Sequence, residues 1–329
     1  MNEPTSAHAT PDASPGLPSQ AELNGVCPLP HLGVIQVAGD DAANFLHNQL
    51  TQDFAQLSLT EARLAALCSA KGRMQASFIG FKCASGDILL VCSQDLLTAT
   101  LKRLSMFVLR AKAKLTDATA VFTVWGLAGR AVADNAGDAA FSVWGMRELG
   151  GASVVGLYPA PGNVPRALWV APAGTPDPVG EPLALDLWNW SEVESGVATI
   201  SATVAEAFVP QMLNYESVGG VNFKKGCYPG QEVVARSQFR GTLKRRAYIV
   251  HSEAPLAAGD DVFHRSDAEA NAGEPCGTVV QAAPAPGGGF DAIVSMQVAA
   301  AKGGTLSAGA PDGPTLRLHP LPYQLLADI

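Results

Sequence analysis

The spacing of apolar residues changes several times along the first hundred positions of the chain. Behind an acidic pair ending at Asp41, which can cap a helix, apolar side chains recur every three or four residues through Leu50. The stretches 63–68 and 73–81 have strand character instead, and Ser69–Gly72 between them predicts a hairpin turn. The pattern therefore predicts one helix followed by a strand hairpin.

A third strand and a second helix continue this unit. The strand is predicted at 87–92, and Ser93 begins the helix. The apolar face of this helix is formed by Leu96, Leu97, Leu101, Leu104 and Val108. Such a face should pack on the predicted sheet, which gives an α+β domain.

Shorter strand-like runs follow in two groups. The first group, at 120–125, 141–144 and 166–170, predicts a smaller second unit that ends in the Pro- and Gly-rich stretch 171–182. After Arg246 no helical periodicity is found. Four short runs with Gly- and Pro-rich spacers occur there, at 247–250, 276–281, 292–298 and 315–318. They predict an all-β terminal domain, either a sandwich or a small barrel.

Length and composition favour a protein of two or three domains. The chain has 329 residues, of which 47% are hydrophobic and 16% charged, so it exceeds one typical core and is not disordered overall. The first 20 residues are rich in Pro, Ser, Ala and Thr, and no Lys or Arg precedes Arg63. Since neither a membrane span nor a signal or transit peptide is indicated, we expect a cytoplasmic protein.

The charge is unevenly distributed. The formal net charge is −8, but the stretch Lys224–Arg246 carries seven cations against one acid, Glu232, a local charge of +6. The cations are Lys224, Lys225, Arg236, Arg240, Lys244, Arg245 and Arg246. Such a basic patch predicts a site for an anionic ligand, although each of these residues taken singly can equally be a solvated surface residue.

One of the six cysteines has distinctive surroundings. The chain has no Cys-x-x-Cys pair and no Cys/His spacing typical of zinc, so the sequence predicts no metal site. Cys227, however, lies in a turn between Gly226 and Gly230, after two lysines and just before a predicted helix that begins at Gln231. Lysines and a helix N-terminus stabilise a thiolate, so Cys227 is a candidate reactive thiol. A structural cysteine in a tight turn is the alternative.

The segment around Cys227 resembles a family signature. Lys225, Gly226, Cys227, Tyr228, Pro229, Gly230, Gln231 and Glu232 are similar to the signature of the YgfZ folate-binding family, which is related to the glycine-cleavage aminomethyltransferase. Further segments that are similar to this family lie at 45–53, 68–74, 194–196, 208–211 and 318–323. The resemblance covers the chain from about residue 25 onward.

This resemblance implies a fold. Members of the family have an α+β, three-domain ring of the aminomethyltransferase type with a ferredoxin-like insertion and a C-terminal β barrel. On this chain the implied units are a disordered tail at 1–24, a split folate-binding domain at 25–117 and 185–246, the insertion at 118–184, and the barrel at 247–329.

The resemblance also implies a function. We expect a folate-binding accessory protein that supports assembly or repair of iron–sulfur enzymes, including tRNA-modifying ones, with tetrahydrofolate or a derivative as its cofactor. Trp188 corresponds to an aromatic folate contact, and Glu194 can pair with pterin N–H groups. Leu32 stands where some members have a second aromatic contact. The expected partners are folate and iron–sulfur client enzymes, without a membrane.

Two other functions remain open. A folate-dependent aminomethyltransferase would need an acid shortly after Gly72, but this chain has Gln75 in that region, so we expect no conventional turnover. An RNA-binding module would use the basic patch. Because only Phe239 and Tyr248 provide aromatic rings near it, direct nucleic acid binding is not expected.

Overall fold

A computed structural model describes residues 23–137, 142–239, 243–266 and 273–326. The predicted tail at 1–24 lies almost wholly outside this part of the chain. The strands are β1 (Gly25–Pro28), β2 (Leu32–Ala38), β3 (Ala62–Cys68), β4 (Met74–Lys82), β5 (Ile88–Ser93), β6 (Lys114–Asp117), β7 (Phe122–Ala128), β8 (Met146–Leu149), β9 (Ala152–Gly156), β10 (Arg166–Pro172), β11 (Arg245–Ser252), β12 (Asp261–Arg265), β13 (Glu274–Pro284), β14 (Phe290–Gln297), β15 (Thr305–Ala308) and β16 (Thr315–His319). The α-helices are α1 (Ala42–Gln49), α2 (Gln94–Ser105), α3 (Arg130–Ala136), α4 (Leu185–Glu194) and α5 (Gln231–Phe239).

The first sheet has the strand order β3-β4-β5-β2-β6. Its three predicted strands and the hairpin turn at Ser69–Gly72 are confirmed, as is the helix that packs on it, although α2 ends before Val108. The start of α1 is also confirmed. Its expected side-chain cap is not, because the Asp41 carboxylate accepts a hydrogen bond from the Lys112 backbone N–H at 2.7 Å instead.

The second sheet has the order β1-β7-β10-β9-β8, with antiparallel neighbours throughout. Strand β1 pairs with β7 here, although residues 25–28 precede the proposed insertion in sequence. The predicted strand at 141–144 is wrong for residues 142–144, which lead into a turn. Trp144 has a φ of 59°, a left-handed conformation that a strand does not accommodate.

The third sheet is a closed barrel with the order β11-β14-β13-β12-β15-β16. Of the two all-β alternatives, the small barrel is therefore correct. The sequence pattern missed β12 and β15. Both are short, and they contain only Val262, Leu306 and Ala308 as buried hydrophobic residues, so their apolar signal is weak.

Helix α4 connects these units. Its residues contact β13 and β14 of the barrel on one side and β1 of the second sheet on the other. None of the helices in the described parts of the chain is long and apolar enough to cross a membrane.

The turn before α5 fits tightly against the hairpin turn Ser69–Gly72. Gly230 has a φ of 79°, and a Cβ added to it would lie 2.7 Å from the Gly72 Cα and against the Ser69 carbonyl oxygen. The hairpin leaves no room there for any side chain, since real Cβ atoms do not approach backbone this closely.

We therefore predict that Gly230→Ala destabilises the protein more than Gly86→Ala. Both glycines have positive φ, but a Cβ at Gly86 would meet no atom within 4 Å. The variants share the backbone strain, so the clash at Gly230 should add roughly 1–3 kcal/mol to the loss in free energy of unfolding. Urea unfolding measures both, and equal losses would contradict the packing described.

Candidate functional site

The signature loop, residues 225–232, is fixed to the end of α1 by a buried lysine. The Lys225 ammonium donates hydrogen bonds to the Leu50 carbonyl oxygen at 2.9 Å and to the His47 carbonyl oxygen. It also lies 4.6 Å from the centre of the Tyr228 ring, a cation–π contact. Burial lowers the pKa of Lys225 to about 8, against the opposing effect of Asp53. This predicted motif lysine therefore has a structural role.

The centre of the loop faces solvent. Gly226 and Cys227 are exposed, whereas Tyr228 is buried beneath Lys225. The predicted helix after the turn is confirmed as α5, and the Gln231 N–H donates to the Tyr228 carbonyl at 3.2 Å where it begins. Gln231 also reaches back to the Gly226 carbonyl at 3.5 Å. The loop thus presents one thiol from a turn held at both ends.

Cys227 differs from the other five cysteines in its exposure. All six are free thiols, and Cys227 is the exposed one. Burial raises the pKa of Cys27, Cys83 and Cys276 to about 11, and that of Cys68 and Cys92 to about 12. Since the thiolate is the reactive form, these five cysteines should react slowly at neutral pH, because they are less exposed than Cys227 and because their raised pKa keeps them protonated.

A histidine that the sequence did not connect with Cys227 lies beside the loop. His47 Nδ1 is 2.8 Å from Asp53 Oδ1, and its Nε2 would lie 3.3 Å from a Cβ added to Gly226, the residue before Cys227. Although partial burial acts in the opposite direction, hydrogen bonds from His47 and the Gln56 backbone hold the pKa of Asp53 below its usual range. An imidazole oriented by a carboxylate is the arrangement that activates nucleophiles.

The predicted basic patch is divided by the fold. Arg246 is buried, with a guanidinium nitrogen 2.8 Å from Glu216 Oε1, and Arg236 pairs at 2.6 Å with Glu232 one helical turn earlier. With Lys225 also buried, three of the seven cations have neighbouring partners.

The remaining cations do not restore one basic surface. Arg245 donates to the Cys276 carbonyl oxygen at 3.1 Å, while Lys224 and Lys244 are exposed. Arg240 lies outside the described residues. Because Lys225 and Arg246 are buried, the predicted anion site stays a prediction that rests on fewer exposed cations than the local charge of +6 in sequence suggests.

A second candidate site is a cavity enclosed by α4, the first sheet and the second sheet. The cavity and its mouth enclose about 570 Å³ of empty space. Leu32, named from the family resemblance, lines it together with Tyr158, Arg166, Glu192 and Ser195. The cavity is narrow, with mixed apolar and charged walls.

Arg166 and Glu192 are the charged groups of this cavity. Arg166 is only 4% exposed, and its Nη2 lies 3.9 Å from Glu192 Oε1, while its Nε has no hydrogen-bond partner. Burial lowers the pKa of Arg166 to about 10, against the opposing effect of Glu192. A buried donor without an acceptor is costly, so this wall is suited to a polar ligand atom.

Trp188 lies behind the cavity wall. Its ring is 0% exposed, and the Arg166 guanidinium lies 4.5 Å above it. The expected open stacking face on Trp188 is therefore not present, because Arg166 covers it. In this structure the indole supports Arg166 by a cation–π contact.

Glu194 faces away from the cavity. Along α4, residues 188, 192 and 195 share one helical face, while 190 and 194 point toward the barrel. Glu194 there approaches His319 and Asp291, and burial, reinforced by Asp291, raises its pKa to about 8. The carboxylate in the cavity is thus Glu192 rather than the expected Glu194.

The region of the missing acid contains a carboxylate from another segment. The Gln75 side-chain amide donates to Glu206 Oε1 at 2.6 Å. Gln75 shares a face of β4 with Ser77 and Ile79, which line the cavity. The sequence provided no signal for this pairing, because the two residues are 131 positions apart.

The chain is similar in sequence to known proteins. The chain matches no protein-family model. It is 29% identical over 261 residues to the tRNA-modifying protein YgfZ of Colwellia psychrerythraea, covering 76% of this chain and 79% of that protein. It is also 29% identical over 304 residues to the tRNA-modifying protein YgfZ of Cronobacter sakazakii, covering 88% and 90%. The chain is therefore similar to YgfZ proteins over most of its length, and the resemblance to them that the sequence indicated is confirmed.

The fold class is confirmed by a solved structure. The glycine cleavage system aminomethyltransferase T from Bartonella henselae superposes with a TM-score of 0.68 at 16% identity, covering 93% of this chain and 88% of that one. The chain therefore has the aminomethyltransferase-type α+β fold with a closed C-terminal barrel.

We predict that Lys225→Met lowers stability while Lys224→Met does not. Methionine keeps much of the lysine side chain's length but leaves two carbonyl oxygens at the end of α1 without a donor. An unsatisfied buried acceptor costs about 1–3 kcal/mol in free energy of unfolding. Lys224 is exposed, so its variant is the matched control. Thermal and urea unfolding of both variants measure the difference, and equal stability would show that the buried ammonium is dispensable.

Proposed function

We propose that this chain binds a reduced folate, tetrahydrofolate or a derivative, in the cavity beside α4 and acts in the cytoplasm as an accessory protein for iron–sulfur enzymes. Its clients would include enzymes that modify tRNA, which it would help to assemble or repair. The names of the YgfZ relatives and the aminomethyltransferase-type fold support this proposal. The observation that carries the folate part is that Arg166 and Glu192 line the same cavity, and that the buried Arg166 Nε has no hydrogen-bond acceptor among the described residues.

The cavity has groups that fit a pterin. The Glu192 carboxylate can accept hydrogen bonds from ring N–H groups, and the Arg166 guanidinium can donate to a ring carbonyl oxygen. Leu32, Tyr158 and the neighbouring apolar residues would cover the ring faces. Trp188 would contribute indirectly by holding Arg166. When bound, the folate would supply one-carbon chemistry, while these residues bind and orient it.

We predict that Glu192→Gln weakens binding of tetrahydrofolate while Glu194→Gln leaves it unchanged. Both residues are on α4, two positions apart and on opposite faces, so the pair tests which face holds the ligand. Loss of a charge-assisted hydrogen bond typically costs about 1.5–3 kcal/mol, which is roughly a tenfold or greater loss of affinity. The readout is anaerobic titration followed by tryptophan fluorescence. Equal affinities, or a loss only in Glu194→Gln, would remove this cavity assignment.

The exposed thiol of Cys227 is proposed as the second working group. His47 Nε2 would accept the thiol proton, and Asp53 would hold the Nδ1 proton of the same ring. The resulting thiolate can then attack an electrophile or a disulfide sulfur. The buried Lys225 contributes by fixing the loop, since its ammonium is already hydrogen bonded to α1.

We predict that iodoacetamide alkylates Cys227 faster than any other cysteine and that His47→Gln slows this reaction at neutral pH. In this reaction an S–C bond forms, the C–I bond breaks and iodide leaves, so the rate reports the thiolate. Mass spectrometry of peptides follows each site against pH. His264→Gln, in the barrel, is the control.

A complementation experiment in cells tests the same thiol with Cys227→Ser. Because the thiol is exposed, the variant should keep its melting temperature but fail to restore iron–sulfur enzyme activity in cells that lack the protein. Full complementation would show that the thiol is not needed. A large drop in melting temperature would make Cys227 a structural residue.

The pairing of Gln75 with Glu206 favours one alternative, a folate-dependent aminomethyl transferase. The hydrogen bond places the Glu206 carboxylate beside the segment after Gly72, where the sequence itself has no acidic residue. A glycine-cleavage assay distinguishes the two functions, since an accessory protein should give no folate-dependent methylene transfer. The RNA-binding alternative has less support, because the predicted basic patch is divided.

A further inference from the structure

A cluster of metal-ligating side chains lies on the barrel side of α4, opposite the cavity. Glu194 comes from α4, Asp291 from β14 and His319 from the end of β16. One ligand atom from each lies within 4.8 Å of the others. Three separate elements thus bring these side chains together. The proposed folate site uses none of the three residues.

Both carboxylates of this cluster are buried, and one oxygen of Glu194 has no hydrogen-bond partner among the described residues. Glu194 is 7% and Asp291 3% exposed, and Glu194 Oε1 has no hydrogen-bond partner in the described structure. His319 Nδ1 is 3.8 Å away, too far for a hydrogen bond. Burying two acids side by side is unfavourable unless a positive group or a proton joins them.

Asp291 is oriented as metal ligands usually are. His251 Nδ1 lies 2.7 Å from its Oδ1, and Trp190 Nε1 donates to its Oδ2 at 2.6 Å. A carboxylate oxygen that accepts one hydrogen bond still has a second lone pair for a metal ion. Hydrogen bonds of this kind fix the direction of a ligand and raise its affinity for the ion.

We propose that Glu194, Asp291 and His319 bind one divalent transition-metal ion such as Zn²⁺. Two carboxylate oxygens and one imidazole nitrogen form a donor set of the kind found in three-ligand zinc sites that keep a fourth position for water. Ligands at about 2.0–2.2 Å from a tetrahedral ion lie about 3.3–3.6 Å apart, so the three ligand atoms, now within 4.8 Å of one another, must move closer by up to roughly 1.5 Å when the ion binds. The His319 side chain is 33% exposed, which provides a route to solvent.

The test is direct metal binding by the full chain carrying Cys227→Ser, which removes the exposed thiol as a competing ligand. After EDTA treatment and dialysis, calorimetric titration with Zn²⁺ should show one site per chain. Glu194→Gln and His319→Gln should each weaken it at least roughly tenfold, because each removes a ligand that the ion needs. His264→Gln, a barrel histidine that hydrogen bonds to the Gly303 carbonyl, should not weaken it.

The outcomes separate a metal site from a proton-sharing pair. Absence of Zn²⁺ binding, or binding that survives both ligand variants, overturns the proposal. If no metal binds and Glu194→Gln raises the melting temperature at pH 8.5 in EDTA, the cluster holds a proton instead. Because His319 is partly exposed, its variant should fold and keep the test valid even if Glu194→Gln does not. Folate titration is a separate readout, so failure here leaves the proposed function to its own test.

Discussion

Helix α4 is buried on both sides, and this constraint determines most of what surrounds it. Trp188 and Trp190 are almost fully buried on opposite faces of the helix. Trp188 packs under Arg166 of the second sheet, and Trp190 donates its N–H to Asp291 of the barrel. The helix packs against both the second sheet and the barrel, so each of its buried polar side chains points toward one of these two units. One ten-residue helix therefore supplies a carboxylate to the cavity, Glu192, and another, Glu194, to the cluster with Asp291 and His319.

The signature loop depends on another buried charge. Lys225 supplies the donors for carbonyl oxygens at the end of α1, where helices leave such groups unsatisfied. The same ammonium covers Tyr228, so the loop is held on its inner side while Gly226 and Cys227 remain outside. Gly230 completes the arrangement by fitting against the Ser69–Gly72 turn. Two segments that carried the family resemblance are thus in direct contact.

The local sequence pattern predicted the helices and strands better than the tertiary contacts between them. The β3–β4 hairpin and the starts of α1 and α2 follow from residue spacing, and the start of α5 follows from the turn before it. Strands β12 and β15 were missed because they bury too few large apolar residues. Helix α4 was not predicted from residue spacing, and only the fold shows that Glu192 reaches the cavity and Glu194 the barrel.

The candidate site shows the same limit over longer separations. Lys225 and His47 are 178 residues apart, so no local pattern could associate that histidine with Cys227. The family resemblance drew attention to the loop and to Leu32, and the structure places Leu32 in the cavity wall. The resemblance placed the folate ring on Trp188, however, since a sequence cannot show that Arg166 covers the indole.

The geometry of β4 bears on how the thiol and the cavity work together. The strand starts beside the turn that contacts Gly230 and continues to Ser77 and Ile79, which line the cavity. From Gly72 to Ser77 the chain spans on the order of 17 Å in extended form. A thiol at the signature loop is thus well removed from a ring bound beside Arg166, and it opens to solvent rather than into the cavity. This separation is what an accessory protein needs if it contacts a client through the loop while folate occupies the interior. It is poorly suited to a mechanism in which Cys227 acts on the bound folate directly.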